Sequence, residues 1–414
     1  MSAYKPYPAY KDSGVEWLGE VPEHWEVVPY KYLARIQNGS DHKHVETEEG
    51  FPVIGSGGIF AFASDYLYDG ESVLLGRKGT IDKPLYVTGK FWAVDTMYWT
   101  KIAPDAHGKF AFYAALTIPF SYYSTNTALP SMTKSTLSAH PVVRPPLPEQ
   151  TAIAAYLDRE TAKIDALIAA QRRLIDLLRE KSSALISHAV TKGLNPDAPM
   201  KESGVPWLGK VPEGWEVRRL KHFASYNDDV LPELTDPATE IDYVDISSVS
   251  SDNGIENVVT VPFSSAPSRA RRLVKVGDVI VSTVRTYLKA IAPINAPHQN
   301  IVVSTGFVVI RPGEGFEPSF ARYSLHSNYF MDRVVAGSVG VSYPAINAFD
   351  LISIEIAAPA APEQSSIAAF LDRETSKIDA LIAKTEKAIE LAKERRSALI
   401  SAAVTGKIDV REAA

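Results

Sequence analysis

Apolar residues return in alternating steps of three and four along two stretches of this chain, Glu149 to Thr191 and Glu363 to Thr405. That pattern predicts two amphipathic helices. The stretches align at an offset of 214 without a gap, and 28 of their 43 positions are identical. Neither contains Gly or Pro, and both are rich in strong helix formers. At roughly 1.5 Å per residue each predicts a rod about 60 Å long, far beyond the usual globular helix. A helix–helix seam accounts for such length. In the first copy Leu157, Ile164, Gln171, Leu178 and Leu185 recur every seven residues, interleaved with Ala154, Thr161, Ile168, Ile175, Ser182 and Ala189. In the second, Leu371, Ile378, Thr385, Ala392 and Leu399 alternate with Ala368, Thr375, Ile382, Ile389, Arg396 and Ala403. The period of 3.5 indicates a coiled coil. Leu167, Leu174 and Leu381 are expected to widen the apolar stripe, and polar Gln171 and Thr385 sit at matching seam positions, as register markers or in a wet pocket.

A second repeat lies upstream of each helix. Lys11 to Val27 and Lys201 to Val217 agree at 13 of 17 positions, with an offset of 190. Its Gly and Pro residues predict turns. Trp17, Trp25, Trp207 and Trp215 are expected to anchor it by packing. Between lead-in and helix lies one block per half, 121 residues from Val28 to Pro148 and 145 from Arg218 to Pro362. The excess of 24 equals 214 − 190, so the halves are copies with matching frames and diverged middles. The chain thus divides into a lead-in (1–27), a first block (28–148) and a first helix (149–194). A linker with the repeated lead-in (195–217), a second block (218–362) and a second helix (363–408) follow.

Within the blocks, Ser72 to Gly76, Phe91 to Trp99, Asp278 to Val284 and Asn300 to Ile310 read as strands. Helices are expected near Phe110 to Leu116 and Ser319 to Val335. Each long helix starts with Pro followed by Glu, good first-turn chemistry, and ends near Gly193 or Gly406. A long first helix carries the chain away from the first block, and a short anchored linker then begins the second. The second helix must run back, so antiparallel packing with an internal pseudo-twofold is expected. The fold class read here is α+β.

Composition adds exclusions. The chain of 414 residues has no Cys, which rules out disulfides, thiolate metal sites and a Cys nucleophile and fits a reducing cytoplasm. No apolar run approaches a membrane span, and the first residues lack the apolar core of a signal peptide. A net charge of −6 argues against coating nucleic acid by bulk charge, so any such contact must be local. The Gly55–Gly58 and Gly76–Thr80 runs fail the spacing of dinucleotide and phosphate loops. His42 and His44 form an HxH pair in a polar loop, a weak metal candidate beside the reading of a solvated loop. Neither a GxSxG elbow nor an adenine-methyltransferase Asn/Asp-Pro-Pro-aromatic motif occurs. What the blocks do hold is basic clusters after corresponding strands. Arg77 and Lys78 stand in the first, and Arg269, Arg271, Arg272 and Lys275, then Arg285, Tyr287 and Lys289, in the second. With Lys134 these are the candidate phosphate and base-edge contacts.

The combination resembles the specificity subunit of a type I restriction-modification system. It is carried by SGVxWLGxVPExWEV in both lead-ins, GRKGT at 76–80, FWAVDTMYW at 91–99 and GDVIVSTVRTYL at 277–288. PPLPEQ at 145–150, APEQ at 361–364 and LDRETxKIDALI in both helices complete it. The resemblance implies two target-recognition domains, each reading half of a bipartite, asymmetric site on double-stranded DNA, with an antiparallel coiled-coil spacer. It implies partners: two methyltransferase subunits that modify adenine, and restriction/motor subunits. It also implies that S-adenosylmethionine and ATP belong to those partners, that this chain binds no cofactor or metal, and that it is not itself an enzyme. A coiled-coil adaptor scaffold without DNA binding is the competing reading.

Overall fold

The computed structural model describes residues 5–123, 131–251, 253–295 and 300–411. Its chain divides into two compact units. The first takes Met1–Arg172 together with Glu386–Ala414, the second Arg173–Thr385. Both long helices are continuous elements, Leu147–Lys192 and Ala361–Val404, and each contributes one part to each unit.

In the first unit the helix parts run antiparallel. Ile153, Ala154 and Leu157 share a core with Ile400, Ala403 and Val404, and Arg396 Nε reaches Asp165 at 2.9 Å. In the second unit Ile186, Ala189 and Val190 share a core with Ile367, Ala368 and Leu371. The seam is drawn as the sequence reads it over Leu157, Ile168, Ile175 and Leu178, and over Leu371, Ile378, Thr385 and Ile389, all buried. Ile164, Gln171 and Ile382 are half-buried on the same line. Near the helix ends the reading needs correction. Leu185 and Leu399 are only half-buried, and their neighbours Ile186 and Ile400 take the interior. Burial there steps from Ile378 to Ile389 to Ile400, by eleven, the spacing of a helix that keeps about 3.6 residues per turn. Leu167, Leu174 and Leu381 do not widen the stripe; they are 51%, 41% and 43% exposed. A two-helix seam buries a narrow strip, so flanking positions stay in solvent. Only where a β-rich domain covers a second face of the helix do flanking residues such as Tyr156 become interior. Thr385 donates its hydroxyl to Leu381 O at 2.8 Å, while the buried Gln171 Oε1 finds no donor among the described residues.

The two β-rich domains share one topology despite their dissimilar sequences. One antiparallel sheet has the order Leu85–Val87, Ser72–Gly76, Met97–Ile102, Ala34–Asn38 in the first unit. Its counterpart runs Ile291–Pro293, Val279–Ser282, Phe307–Pro312, Ala224–Tyr226. The other sheet is built around a parallel pair, Phe51–Gly55 with Lys90–Ala93, matched by Glu240–Val244 with Ile301–Ser304. The central strands are buried on both faces, as a continuous apolar run should be. Val73 and Leu75 enter the core shared with the long helices while Leu74 enters a core between the sheets. Val279, Val281 and Ile280 divide in the same way.

Two of the expected strands are each two strands. Phe91 to Trp99 breaks at Val94–Thr96, and Asn300 to Ile310 breaks at Thr305–Gly306, so that the halves join different sheets. A tight turn, closed by Met97 N–H to Val94 O at 2.9 Å, does this in the first unit. In the second, Gly306 leaves room for Ile246, whose side chain would lie 2.4 Å from an added Cβ. The helical expectation over Ser319 to Val335 also divides, into Pro318–His326 and Asn328–Ala336, with Ser327 extended between them. Part of the second block's extra length is one insertion. Gly55 pairs with Gly58 across a short turn, whereas the corresponding connection from Val244 to Val259 carries a hairpin of Val249–Ser250 and Gly254–Ile255.

The repeated motifs tie each domain to its helices. Trp25 is buried, and its Nε1 donates to Glu149 at 3.0 Å; Trp215 does the same to Glu363 at 3.2 Å. Gln150, wholly buried, accepts from His107 N and donates to Pro145 O; Gln364 accepts from Glu317 N and donates to Pro359 O. Tyr113 donates to Asp158 at 2.7 Å beside Thr161, and Tyr323 to Asp372 at 2.6 Å beside Thr375. Trp17 and Trp207 depart from the packing expectation. They are 52% and 37% exposed, Trp17 stacked on His140 and Trp207 covered by Arg333 at 4.1 Å. His42 and His44 set their edges against the rings of Phe60 and Trp92, and no metal-holding cluster is found among the described residues.

Candidate nucleic-acid interface

Both domains build the same structure at the end of the strand that precedes the basic residues. In the first, the turn after Ser72–Gly76 is held by Arg77 N–H and Lys78 N–H, both donating to Thr96 O at 2.9 and 3.2 Å. Arg77 O accepts from Met132 N at 3.0 Å, and Lys78 forms a β-bridge with Ser131. In the second, Thr283 N–H donates to Gly306 O at 2.8 Å, Thr283 O accepts from Ile346 N at 2.9 Å, and Val284 bridges to Ala345. Ala345 and Ile346 stand 214 residues after Ser131 and Met132. Three segments therefore meet in each domain: the post-strand turn, the turn joining the two sheets, and the approach to a short helix, Lys134–Ala139 or Ala348–Ile352.

The candidate residues distribute over this structure unequally. Arg77 lies half-buried over the Tyr98 ring with Nη1 on Asp95 O at 3.2 Å, while Lys78 is exposed. Lys134 opens its helix behind the Thr133 N-cap, two residues from the Met132 that binds Arg77 O, so all three first-domain cations share one edge. Arg269 is exposed and brought to the corresponding edge of the second domain, because its carbonyl accepts from Thr305 N at 2.8 Å beside Gly306. Arg285 and Tyr287 are exposed there too.

Four members are placed less favourably. Arg271 falls at a bulge in Ala270–Leu273 and lies over Phe263 at 5.2 Å. Arg272 points inward; burial lowers its pKa from the usual guanidinium value, and its buried Nε meets no acceptor among the described residues. Lys289 is held by Asp332 at 2.6 Å, and Lys275 by Asp229 at 2.7 Å, so both cations are already paired.

The backbone of the second-domain turn is under strain. Arg285 and Lys289 adopt φ of +50° and +49°, left-handed values that cost a non-Gly residue energy and gather at functional sites. Surrounding bonds enforce them, among them Thr286 Oγ1 with Ser338 Oγ at 2.7 Å. Reading for cations alone missed the loop from Ser338 to Pro344, whose Val339, Val341 and Tyr343 are 81%, 101% and 68% exposed. Alternating apolar residues beside Gly340 are the signal that would have found it.

Comparison with known proteins agrees with this arrangement. Residues 22–175 match the family described as the type I restriction modification DNA specificity domain. The MjaVIII specificity subunit of Methanocaldococcus jannaschii is 23% identical, with 94% of this chain and 94% of that protein aligned. The EcoBI specificity subunit of Escherichia coli is 20% identical over 96% of this chain and 89% of its own length. The chain is similar over nearly its whole length to type I specificity subunits. A solved chain from a study of complex assembly and conformational transition in the type I restriction-modification system has the same fold. Its TM-score is 0.61 at 16% identity, covering 93% of this chain and 98% of the solved one. Arg77, Lys78 and Lys134 lie within the residues matched by that family model. Among the described residues no helix is long and apolar enough to cross a membrane.

Proposed function

We propose that this chain is the DNA sequence-recognition subunit of a cytoplasmic type I restriction-modification complex, and that it reads a bipartite, asymmetric site on duplex DNA. The observation that carries the reading is the pairing of one topology with two different edges. The domains share the order of the four-stranded antiparallel sheet, the parallel strand pair and the bridges Lys78–Ser131 and Val284–Ala345, yet present different side chains on them. Equal scaffolds with unequal reading edges suit two different half-sites. Half-buried Arg77 and exposed Lys78, Lys134, Arg269 and Arg285 supply charge for phosphates and forked donors for base edges.

The chain holds no motif for methyl transfer, cleavage or ATP hydrolysis. In this reading two methyltransferase subunits modify adenine and restriction/motor subunits cleave, with S-adenosylmethionine and ATP bound by them. The test is an exchange of Val28 to Pro148 for the corresponding block of another family member, followed by mapping of methylated adenines. One half of the modified sequence should change and the other stay. Both halves changing, or neither, would reject two independent readers.

A further inference from the structure

The loop from Ser338 to Pro344 is shaped for contact yet unused by the fold. Val339 and Ala345 pair through two backbone bonds, N–H to O at 2.8 and 3.0 Å, closing a narrow five-residue tip. Gly340, at φ +115°, allows the tip to turn; an added Cβ would meet Tyr343 O at 3.2 Å. Val341 stands at the tip in full solvent, and Tyr343 projects beside it with the Arg285 guanidinium over its ring at 5.1 Å. Tyr287 and Leu288, 54% and 48% exposed, continue the apolar surface on the strained turn. Leaving several large apolar groups in water on a loop held this firmly has no folding benefit. Arg285 on the same surface favours an anionic partner, and the DNA-recognition reading proposed above makes that partner DNA.

We infer that Val341 and Tyr343 form an apolar reader for the second domain's half-site, packing against the C5-methyl group of a thymine in the major groove while Arg285 fixes the ring of Tyr343. This deepens the DNA-recognition reading and rests on it. The major groove is about 12 Å wide and is where the thymine methyl is displayed; apolar side chains recognise it there. A wedge between base steps is the other apolar use of a loop tip. Val341 is too short to part a base step, and Tyr343 is capped by its guanidinium partner.

The test uses the complex assembled with its methyltransferase subunits and a duplex carrying the site found by methylation mapping. Each thymine of that half-site is replaced in turn by deoxyuridine, which removes only the methyl group. One replacement should weaken binding by wild type about three- to tenfold, the order of one buried methyl group. Val341→Ala should lose a similar factor on the thymine duplex and nothing further on that deoxyuridine duplex. Tyr343→Ala should lose more, and Tyr343→Phe should behave as wild type. Val341 contacts nothing in the fold, so its variant should keep the wild-type melting temperature, which separates reading from folding. If no deoxyuridine position matters, or if the two losses multiply, the methyl contact is refuted. Equal weakening on all sequences would make the loop a backbone contact and also refute it. A wild-type complex that binds no sequence preferentially would instead remove the DNA-recognition reading beneath it.

Discussion

Asp409 donates its backbone N–H to Lys5 O at 2.8 Å, joining two chain segments where the second unit uses one. The offsets make the equivalence explicit: 5 + 190 and 409 − 214 both give 195. In the second unit the chain runs straight through Asn195, from the helix ending at Lys192 to the strand beginning at Met200. In the first unit, residues after the second helix lie beside Lys5–Tyr10. Tyr10 donates to Gly406 O at 3.0 Å, and Val410 is fully buried. Lysines close both junctions: Lys407 donates to Leu18 O at 2.9 Å, and Lys192 to Leu208 O at 3.1 Å. Their order relative to Gly is reversed, Lys192-Gly193 against Gly406-Lys407, yet both reach corresponding carbonyls.

A chain rejoined through that contact should fold. Linking Arg411 to Lys5 with a short Gly/Ser segment and opening the backbone at the exposed Asn195–Pro196 moves the break from one unit to its equivalent place in the other. The expected outcome is an unchanged methylation pattern with partner subunits present. Failure to fold, seen by circular dichroism, would show that the second junction needs covalent continuity.

Glu149 should act as a local fastener. Its carboxylate accepts from Trp25 Nε1 at 3.0 Å and Tyr7 OH at 3.4 Å and lies 2.7 Å from His24 Nε2. Glu149→Ala leaves the buried indole N–H without an acceptor and should cost the first unit about 1–3 kcal/mol. Glu363→Ala should weaken the second unit in the same way. Hydrogen exchange should lose protection mainly in the unit whose Glu was removed; equal loss in both would count against local clasps.

His140 predicts acid sensitivity. Burial lowers its pKa from 6.5 to about 4, and the ring is 3% exposed with Nδ1 3.0 Å from Tyr123 OH. The neutral ring is thus favoured in the folded state. Above about pH 6.5 the group is neutral folded or unfolded and costs nothing. As pH falls from about 6.5 toward 4 the unfolded chain gains the proton first, so stability falls, by about 3 kcal/mol at most. The urea midpoint of the first unit should drop over that window. In His140→Gln the drop should shrink, although the variant starts less stable. An unchanged slope would place the sensitivity elsewhere.

Arg77→Ala and Arg285→Ala should act on different halves of the DNA site. Loss of a bidentate base contact should cost about 1–3 kcal/mol and relax one position. Loss of a phosphate contact should weaken all sequences alike and lower the salt slope by about one. Arg272→Ala should change stability more than specificity, since that side chain points inward. Binding across several salt concentrations separates these outcomes, and no change in either Arg77→Ala or Arg285→Ala would remove those residues from the interface.

The sequence by itself determined the frame. Ungapped repeats gave two long helices, two anchored lead-ins and two blocks, because helix periodicity and Trp spacing are local properties written residue by residue. It determined the seam where only two helices meet, at Ile168, Ile175, Ile378 and Ile389. Tertiary structure decided the rest. That Phe91 to Trp99 is two strands in two sheets depends on which partners each half finds, and an apolar run carries no record of its partner. That the two blocks share a topology was hidden because sheet pairing constrains burial and direction while leaving many apolar sequences acceptable. Arg269 and Arg272 look alike in the sequence, yet one is exposed and the other directed inward. Strand alternation and the bulge at Arg271 decide which side each faces, and that depends on register with Ile301–Ser304, a relation between distant residues.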